Sequence, residues 1–192
     1  LEKYKFPMMG NTAASVALRQ VSPGNIWFPT SHFPDNIAVE LAALAKSKGI
    51  KSAAIIANVL PFAQENLKFL VPALGKVGIE VKVNESYPPD IKDMTTLLTR
   101  IKKAGVDAVI ALSYPADSFL YMGQSKEIGI KARFQFLLVG PTISAFAGAF
   151  GDRVNGIITL GMWSPFQKQW PRAKPFFEAY KKKYGGPPDY LD

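Results

Sequence analysis

Ser52-Ala53-Ala54-Ile55-Ile56-Ala57 is a continuous apolar run of the kind that forms a strand covered on both faces of a sheet. Two similar runs follow at residues 108–112 and 134–139. Segments of ten or more residues with helical periodicity separate the runs, and strands joined in this way form right-handed crossovers. The chain is therefore predicted to be an α/β protein with a three-layer, mainly parallel sheet.

The same patterns predict the other elements, with Asp35 as the N-cap of the first long helix and Pro72 as a kink or break in the second. Residues 87–90 are predicted to be a loop, and residues 6–10 a lone strand. Helices are predicted at residues 36–48, 62–77, 94–104, 116–128, 144–150 and 171–184, and further strands at residues 80–85 and 156–160.

Composition excludes several classes of function. The 192 residues are 48% hydrophobic and 20% charged, which is typical of a globular protein, and no apolar stretch approaches the length of a membrane span. The absence of cysteine excludes disulfides and thiolate chemistry. The net charge of +8 comes mostly from lysines on helix faces and in turns, without a basic stripe interleaved with aromatic residues, so no nucleic-acid partner is expected.

Catalytic and cofactor motifs are weak. His32 is the single histidine, and neither a Gly-x-Ser-x-Gly elbow, a Gly-x-Gly-x-x-Gly fingerprint nor a Walker A loop occurs. Asp90 and Asp93 are better explained as loop and helix-capping residues than as metal ligands. The sequence therefore predicts no enzyme, no cofactor and no metal site.

Three residues are candidates to face one ligand. Phe62, Tyr114 and Thr142 each lie in the loop that follows one of the apolar runs, and such loops gather along the carboxyl edge of a parallel sheet. Trp163, after the last predicted strand, is a further candidate wall. Structural alternatives remain for Phe62 as a core or staple residue, for Tyr114 as a turn residue before Pro115, and for Trp163 as simple packing.

Six short segments follow one another in a characteristic order. They are Ala53-Ala54-Ile55-Ile56-Ala57-Asn58 leading to Phe62, Tyr87-Pro88-Pro89-Asp90-Ile91-Lys92-Asp93-Met94, Leu97-Leu98-Thr99-Arg100-Ile101-Lys102, Ala104-Gly105-Val106-Asp107-Ala108-Val109, the Gly129-Ile130 turn before Phe134, and Val139-Gly140-Pro141-Thr142. In this order they resemble the periplasmic type I solute-binding proteins of ABC transporters, in the branched-chain amino acid (Leu/Ile/Val) class. The resemblance covers essentially the whole chain, but only the middle and later part of such a protein.

This resemblance implies a two-lobed protein of the periplasm whose lobes close on a small solute and deliver it to a membrane permease. The signal peptide is expected to lie outside this chain. Residues 1–30 would be a remnant of the first lobe with a hinge crossover, residues 31–163 the complete second lobe, and residues 164–192 a hinge crossover with a return helix of the first lobe. If this segment exists alone, a dimer or strand exchange is expected at its ends.

The resemblance also implies roles for single residues. A small loop that holds the ligand's carboxylate and ammonium corresponds to Ala13, Ala14 and Ser15, and the aromatic residues that pack on the ligand correspond to Phe62 and Tyr114. An acidic partner of the amino group would fall at Thr142, which carries no charge, so an α-amino acid is less favoured. The expected ligand is a small carboxylate with an apolar or aromatic body, and an amino acid or an amide comes second.

Two other functions remain open. A ligand-sensing module of the same fold, working in a receptor or regulatory complex, would bind a solute without transporting it. An α/β enzyme would turn a substrate over, and this third reading depends on analogy of fold alone.

Overall fold

The structure is a computed structural model that describes residues 2–4, 6–10, 14–20, 26–27, 32–161 and 164–188. Its strands are β1 (Met8–Met9), β2 (Ile26–Trp27), β3 (Ser52–Asn58), β4 (Glu80–Tyr87), β5 (Ala108–Leu112), β6 (Phe134–Leu137) and β7 (Ile157–Thr159). Its α-helices are α1 (Pro34–Ser47), α2 (Pro61–Lys76), α3 (Thr95–Ala104), α4 (Pro115–Ile128), α5 (Ser144–Phe150) and α6 (Ala173–Tyr184). Short 3-10 helices are formed by Glu2–Tyr4, Val16–Gln20, Gly140–Thr142 and Gly151–Val154.

A five-stranded sheet organises the chain. Its strand order is β4-β3-β5-β6-β7, and every neighbouring pair is parallel. Helical segments connect the consecutive strands, as parallel pairing requires. The predicted parallel α/β fold is confirmed.

Each face of the sheet has its own apolar core. On one face, Ile55 packs in a cluster with Leu41 of α1 and Leu70 of α2. On the other face, Ile56 belongs to a cluster that includes residues of α3 and α4, among them Leu98. Because successive side chains of a strand point to opposite faces, both faces of β3 are buried, which explains why its sequence is apolar without alternation.

Two predictions about helices are wrong. Asp35 does not cap α1, because the helix begins at Pro34 with Phe33 at the N-cap, and the Asp35 carboxylate instead pairs with Arg19 at 2.7 and 3.1 Å. The predicted break at Pro72 is also wrong, because α2 runs through this residue without interruption, whereas the alternative of a kink at Pro72 stays a prediction. Pro72 and Lys68 both lie on the exposed side of α2, where water can hydrogen-bond the Lys68 carbonyl that loses its helical donor.

Two predictions about strands also need correction. Tyr87 is not in a loop but is the buried last residue of β4. Met8–Met9 is not a lone strand, because it pairs in parallel with Ile26–Trp27. The strand predicted at residues 134–139 ends two residues earlier, because β6 is Phe134–Leu137. The N–H groups of Leu138 and Val139 still donate to the carbonyls of Ala111 and Ser113.

Large apolar side chains near both ends of the chain are exposed. They include Phe6 and Met9, which precede the strands of the main sheet in the chain, and Phe166 and Trp170, which follow them. Phe166 is exposed to 88%. The expected dimer or strand exchange stays a prediction. None of the helices within the described ranges has the length and apolar character that a bilayer span requires.

Candidate functional site

The three predicted ligand residues follow strands that lie side by side. β3, β5 and β6 are consecutive neighbours in the sheet and point the same way, so the loops at their carboxyl ends lie along one edge. Phe62 lies in the first turn of α2 after β3, Tyr114 precedes α4 after β5, and Thr142 ends the short helix after β6. We call this region the carboxyl edge.

Tyr114 links two of these loops. Its backbone N–H donates to Asp117 Oδ1 at 2.8 Å, which closes the first turn of α4. Its phenol lies near the backbone N–H of Ala63, the residue next to Phe62. Burial raises the pKa of the Tyr114 phenol and the charge of Asp117 adds to this, against the opposing effect of the Ala63 N–H. The Tyr114 phenol therefore lies next to the start of α2.

Phe62 and Thr142 are placed differently. Phe62 is half-buried and packs against the core cluster on the α1–α2 face, so it fits both a ligand wall and the alternative of a core residue. Thr142 uses its hydroxyl locally, donating to the Val139 carbonyl at 2.5 Å. The structure thus places an uncharged and already engaged side chain at the position that the resemblance assigns to an acidic residue.

Close contact with α4 holds the loop that carries Thr142. Gly140 is buried, and a Cβ atom at this position would lie 2.2 Å from Ser118 Cβ and 2.3 Å from Ser118 Oγ. Ser118 is itself buried and shares a 2.7 Å hydrogen bond with the hydroxyl of Ser113 at the end of β5. Only glycine permits the backbone to approach α4 this closely.

The amino-terminal segment contacts α2 through a carboxylate. Ser15 Oγ donates to Glu65 Oε1 at 3.2 Å, and the backbone N–H of Val16 donates to the same oxygen at 3.0 Å. Ala14 and Ser15 are both half-buried. Of the other predicted ligand residues, Ala13 and Trp163 lie outside the described residues.

Sequence reasoning missed a buried polar network beneath the carboxyl edge. Asp117 is 4% exposed, and its Oδ2 accepts the Tyr87 hydroxyl at 2.6 Å and the Asn58 side-chain amide at 3.0 Å. Burial raises the pKa of Tyr87, and the hydrogen bond and charge of Asp117 raise it further, so this phenol stays protonated and donates. A polar residue at the end of an apolar strand, such as Asn58, and an acidic residue in a first helical turn were the available signals.

Metal binding has no structural support in the part of the chain that the structure describes, where His, Asp and Glu form no group of three or more that could hold an ion. The polar groups of the carboxyl edge are hydroxyls, amides and backbone N–H groups. They are suited to hydrogen-bonding a small organic molecule.

Comparisons with known proteins show what the chain is similar to. The sequence profile of the family described as "Periplasmic binding protein" matches residues 1–192. "Leu/Ile/Val-binding protein homolog 7" of Brucella abortus (strain 2308) is 32% identical over 122 residues, which are 60% of this chain and 30% of that protein. The chain therefore matches less than a third of the length of this curated relative.

Two solved structures share the fold. A putative branched-chain amino acid ABC transporter protein from Rhodospirillum rubrum superposes with a TM-score of 0.82 and 19% identity, over 98% of this chain and 54% of that one. An ABC transporter solute-binding protein from Rhodopseudomonas palustris BisB5, solved with 3,4-dihydroxybenzoic acid, gives a TM-score of 0.76 and 21% identity, over 98% and 52%. At these identities the likeness concerns the fold alone.

Proposed function

The chain belongs to the periplasmic binding protein family, and we propose that it captures a small carboxylate-bearing solute for an ABC importer. In this role it binds the solute in the periplasm, between two lobes, and delivers it to a membrane permease without chemical change. The observation that carries the proposal is the position of Phe62, Tyr114 and Thr142 after three adjacent parallel strands. Ligands of open α/β sheets bind at this edge.

The proposed lobes keep the bounds expected from the sequence. Residues 31–163, which contain all five strands of the main sheet, form the second lobe. Residues 1–30 and 164–192 belong to the first lobe and its hinge crossovers. When the lobes are closed, residues of the amino-terminal segment, including Ala13, Ala14 and Ser15, cover the carboxyl edge, with Trp163 as a further wall.

The residues beneath and along the carboxyl edge favour a ligand without an ammonium group. Thr142 offers no charge, and the Asp117 carboxylate is buried and already accepts hydrogen bonds from three donors. A buried ammonium without a carboxylate partner loses a hydrogen bond worth roughly 1.5–3 kcal/mol. An aromatic or aliphatic acid is therefore preferred over an amino acid.

Apolar side chains at the carboxyl edge suit the body of such an acid. Phe62 is half-buried, and Val59 and Leu60, which precede it, are 49% and 37% exposed. A ring or aliphatic chain that covers them gains about 25 cal/mol for each Å² of apolar surface removed from water. The Rhodopseudomonas neighbour solved with 3,4-dihydroxybenzoic acid supports an aromatic acid, whereas the name of the Brucella relative supports a branched-chain amino acid as the second candidate.

Thermal-shift measurements on the chain test the proposal, with 3,4-dihydroxybenzoate, L-leucine and L-leucinamide as probes. A probe that binds only the native state at 100 times its Kd adds about 2.7 kcal/mol to the free energy of unfolding, and so raises Tm. We expect the largest rise with 3,4-dihydroxybenzoate.

Two phenylalanines of α2 provide the matched variants. Phe62→Ala is expected to abolish the rise in Tm. Phe69 is also half-buried but lies roughly 10 Å farther along the same helix, so Phe69→Ala is expected to keep the rise. A rise with L-leucine alone would refute the preference for an acid without an ammonium. No rise with any of the three probes would refute capture of this class of solute.

A further inference from the structure

One carboxylate oxygen joins the amino-terminal segment to α2. Glu65 Oε1 accepts both the Ser15 hydroxyl and the Val16 backbone N–H, at 3.2 and 3.0 Å, although about fifty residues separate the partners in the chain. Hydrogen bonds to an ionised oxygen are roughly twice as strong as those between neutral groups. The segment therefore already binds a carboxylate, and this carboxylate belongs to the protein.

Glu65 lies close to the carboxyl edge. It follows Phe62 by three residues in α2, and residues three apart are neighbours on one helix face. Its side chain is half-buried, and among the described residues it forms no ion pair. A second carboxylate directed to Ser15 and Val16 would meet the negative charge of Glu65, so the two carboxylates cannot both use these donors.

The segment has a second anchor that does not involve Glu65. Arg19 pairs with Asp35 through two hydrogen bonds, at 2.7 and 3.1 Å, and its guanidinium carbon lies 3.9 Å from the centroid of the Phe33 ring. Displacement of Glu65 would therefore free the donors of Ser15 and Val16 while residue 19 stays attached to the start of α1. One carboxylate can replace another without detachment of the whole segment.

We propose that Glu65 is a built-in competitor for the carboxylate of the ligand at Ser15 and Val16. The inference rests on the proposed function and adds a regulatory step to it. In the free protein Glu65 satisfies the two donors, and a carboxylate ligand binds by displacing it. Solutes without a carboxylate cannot displace Glu65, so the exchange also selects the class of ligand.

Isothermal titration of the chain with 3,4-dihydroxybenzoate tests the exchange. Glu65→Gln keeps the shape of the side chain but removes its charge, so it holds the donors less tightly and does not repel the ligand. We expect its Kd to fall by roughly three- to tenfold relative to the wild type. Glu127→Gln removes the same charge at an exposed position of α4, and its Kd is expected to equal that of the wild type.

Hydrogen exchange of the Val16 amide, measured without any ligand, gives a second readout. Exchange should be faster in Glu65→Gln than in the wild type and unchanged in Glu127→Gln. Glu65→Asp, whose carboxylate is one methylene shorter, provides a second variant if Glu65→Gln does not fold. It should also speed exchange at Val16.

The outcomes separate this inference from the proposed function. If the probe binds but Glu65→Gln has the same or a higher Kd than Glu127→Gln, competition by Glu65 is refuted while solute capture stands. If the probe binds none of the proteins, capture of this solute class fails. Exchange at Val16 then decides whether Glu65 holds the segment: unchanged exchange overturns that contact, and faster exchange supports it.

Discussion

The Tyr87 hydroxyl donates to Asp117 Oδ2 at 2.6 Å and joins the end of β4 to the first turn of α4. Asn58, at the end of β3, donates to the same oxygen at 3.0 Å. β3 lies between β4 and β5 in the sheet, so this one carboxylate connects the ends of neighbouring strands beneath the candidate site. A buried network of this kind is rigid only while all its members are paired.

Removal of the Tyr87 hydroxyl tests this network. Tyr87→Phe leaves the buried Asp117 carboxylate without one of its donors and is expected to lower the free energy of unfolding by roughly 1–3 kcal/mol. Urea denaturation of the wild type and the variant measures the difference. Tyr184→Phe, at a side chain that is 61% exposed, is the matched control and should change little. Equal effects of the two substitutions would show that the network contributes nothing to stability.

Gly140 is expected to tolerate no side chain. In Gly140→Ala the new Cβ would lie 2.2 Å from Ser118 Cβ, so the loop that carries Thr142 must shift away from α4. Overpacking of this kind costs typically about 1–3 kcal/mol, which chemical denaturation measures.

Gly148→Ala is the control for this substitution. Gly148 lies in α5 with no atom within 4 Å of an added Cβ, and alanine is the better helix former by roughly 0.5–1 kcal/mol. It should therefore leave stability unchanged or raise it. A Gly140→Ala protein as stable as the wild type would contradict the close approach of this loop to α4.

The phenol of Tyr114 is expected to affect binding through α2. Tyr114→Phe removes the phenol oxygen that lies near the buried N–H of Ala63, so the first turn of α2, which carries Phe62, is expected to become less ordered. We expect the Kd for 3,4-dihydroxybenzoate to rise roughly three- to tenfold in isothermal titration.

Tyr121→Phe separates this effect from a general loss of stability. The Tyr121 hydroxyl donates to Gln135 Oε1 at 2.8 Å, so this variant loses a phenol oxygen and a side-chain hydrogen bond that involve no residue of α2. Its Kd should match that of the wild type. A similar rise in Kd in both variants would argue against a specific role of Tyr114.

Asp107 predicts how stability depends on pH. Asp107 immediately precedes β5. Its carboxylate accepts hydrogen bonds from the backbone N–H groups of Lys51, just before β3, and of Ser52, the first residue of β3, at 2.9 and 3.1 Å. The Lys51 hydrogen bond is the main cause that lowers the pKa of Asp107 below its usual value of 3.8, and it acts with the Ser52 N–H and the Arg133 charge against desolvation. As the pH falls, the Asp107 carboxylate is therefore protonated at a higher pH in the unfolded chain than in the folded one. The stabilisation that its hydrogen bonds give the folded chain is lost from about pH 3.8 downward.

Denaturation of the wild type and Asp107→Asn from pH 7 to pH 2 measures this dependence. The wild type should be more stable at pH 7, and the difference should shrink below pH 3.8. Asp90→Asn, at an exposed loop residue, should show no such trend. A difference between the wild type and Asp107→Asn that stays constant over the whole range would exclude the carboxylate as its source.

Local patterns predicted the main elements with good bounds. The strand predicted at residues 52–57 agrees with β3 to within one residue, the strand predicted at residues 108–112 agrees with β5, and the short helix predicted at residues 144–150 agrees with α5. These predictions succeeded because a strand covered on both faces needs a continuous apolar run and an amphipathic helix needs a period near 3.6. Both requirements act between residues that are close in the chain.

Two of the errors concern residues whose partners are distant in the chain. Aspartate is a preferred N-cap residue, but the carboxylate of Asp35 pairs with Arg19 instead. Tyr87 precedes two prolines, which favours a loop, yet the hydrogen bond to Asp117 and burial keep it in β4. In both cases a contact with another element outweighs the local preference.

Sequence alone determined the parallel α/β fold and placed Phe62, Tyr114 and Thr142 after three runs that prove to be adjacent strands. Only the tertiary structure decided that Glu65 occupies the donors of Ser15 and Val16, and that Asp117 joins Tyr87 to Asn58. The physical reason is the separation along the chain of the residues that interact. Apolar periodicity reflects burial, which each segment records in its own sequence, whereas the partner of a polar side chain depends on which distant segments the packed sheet and helices bring within about 3 Å.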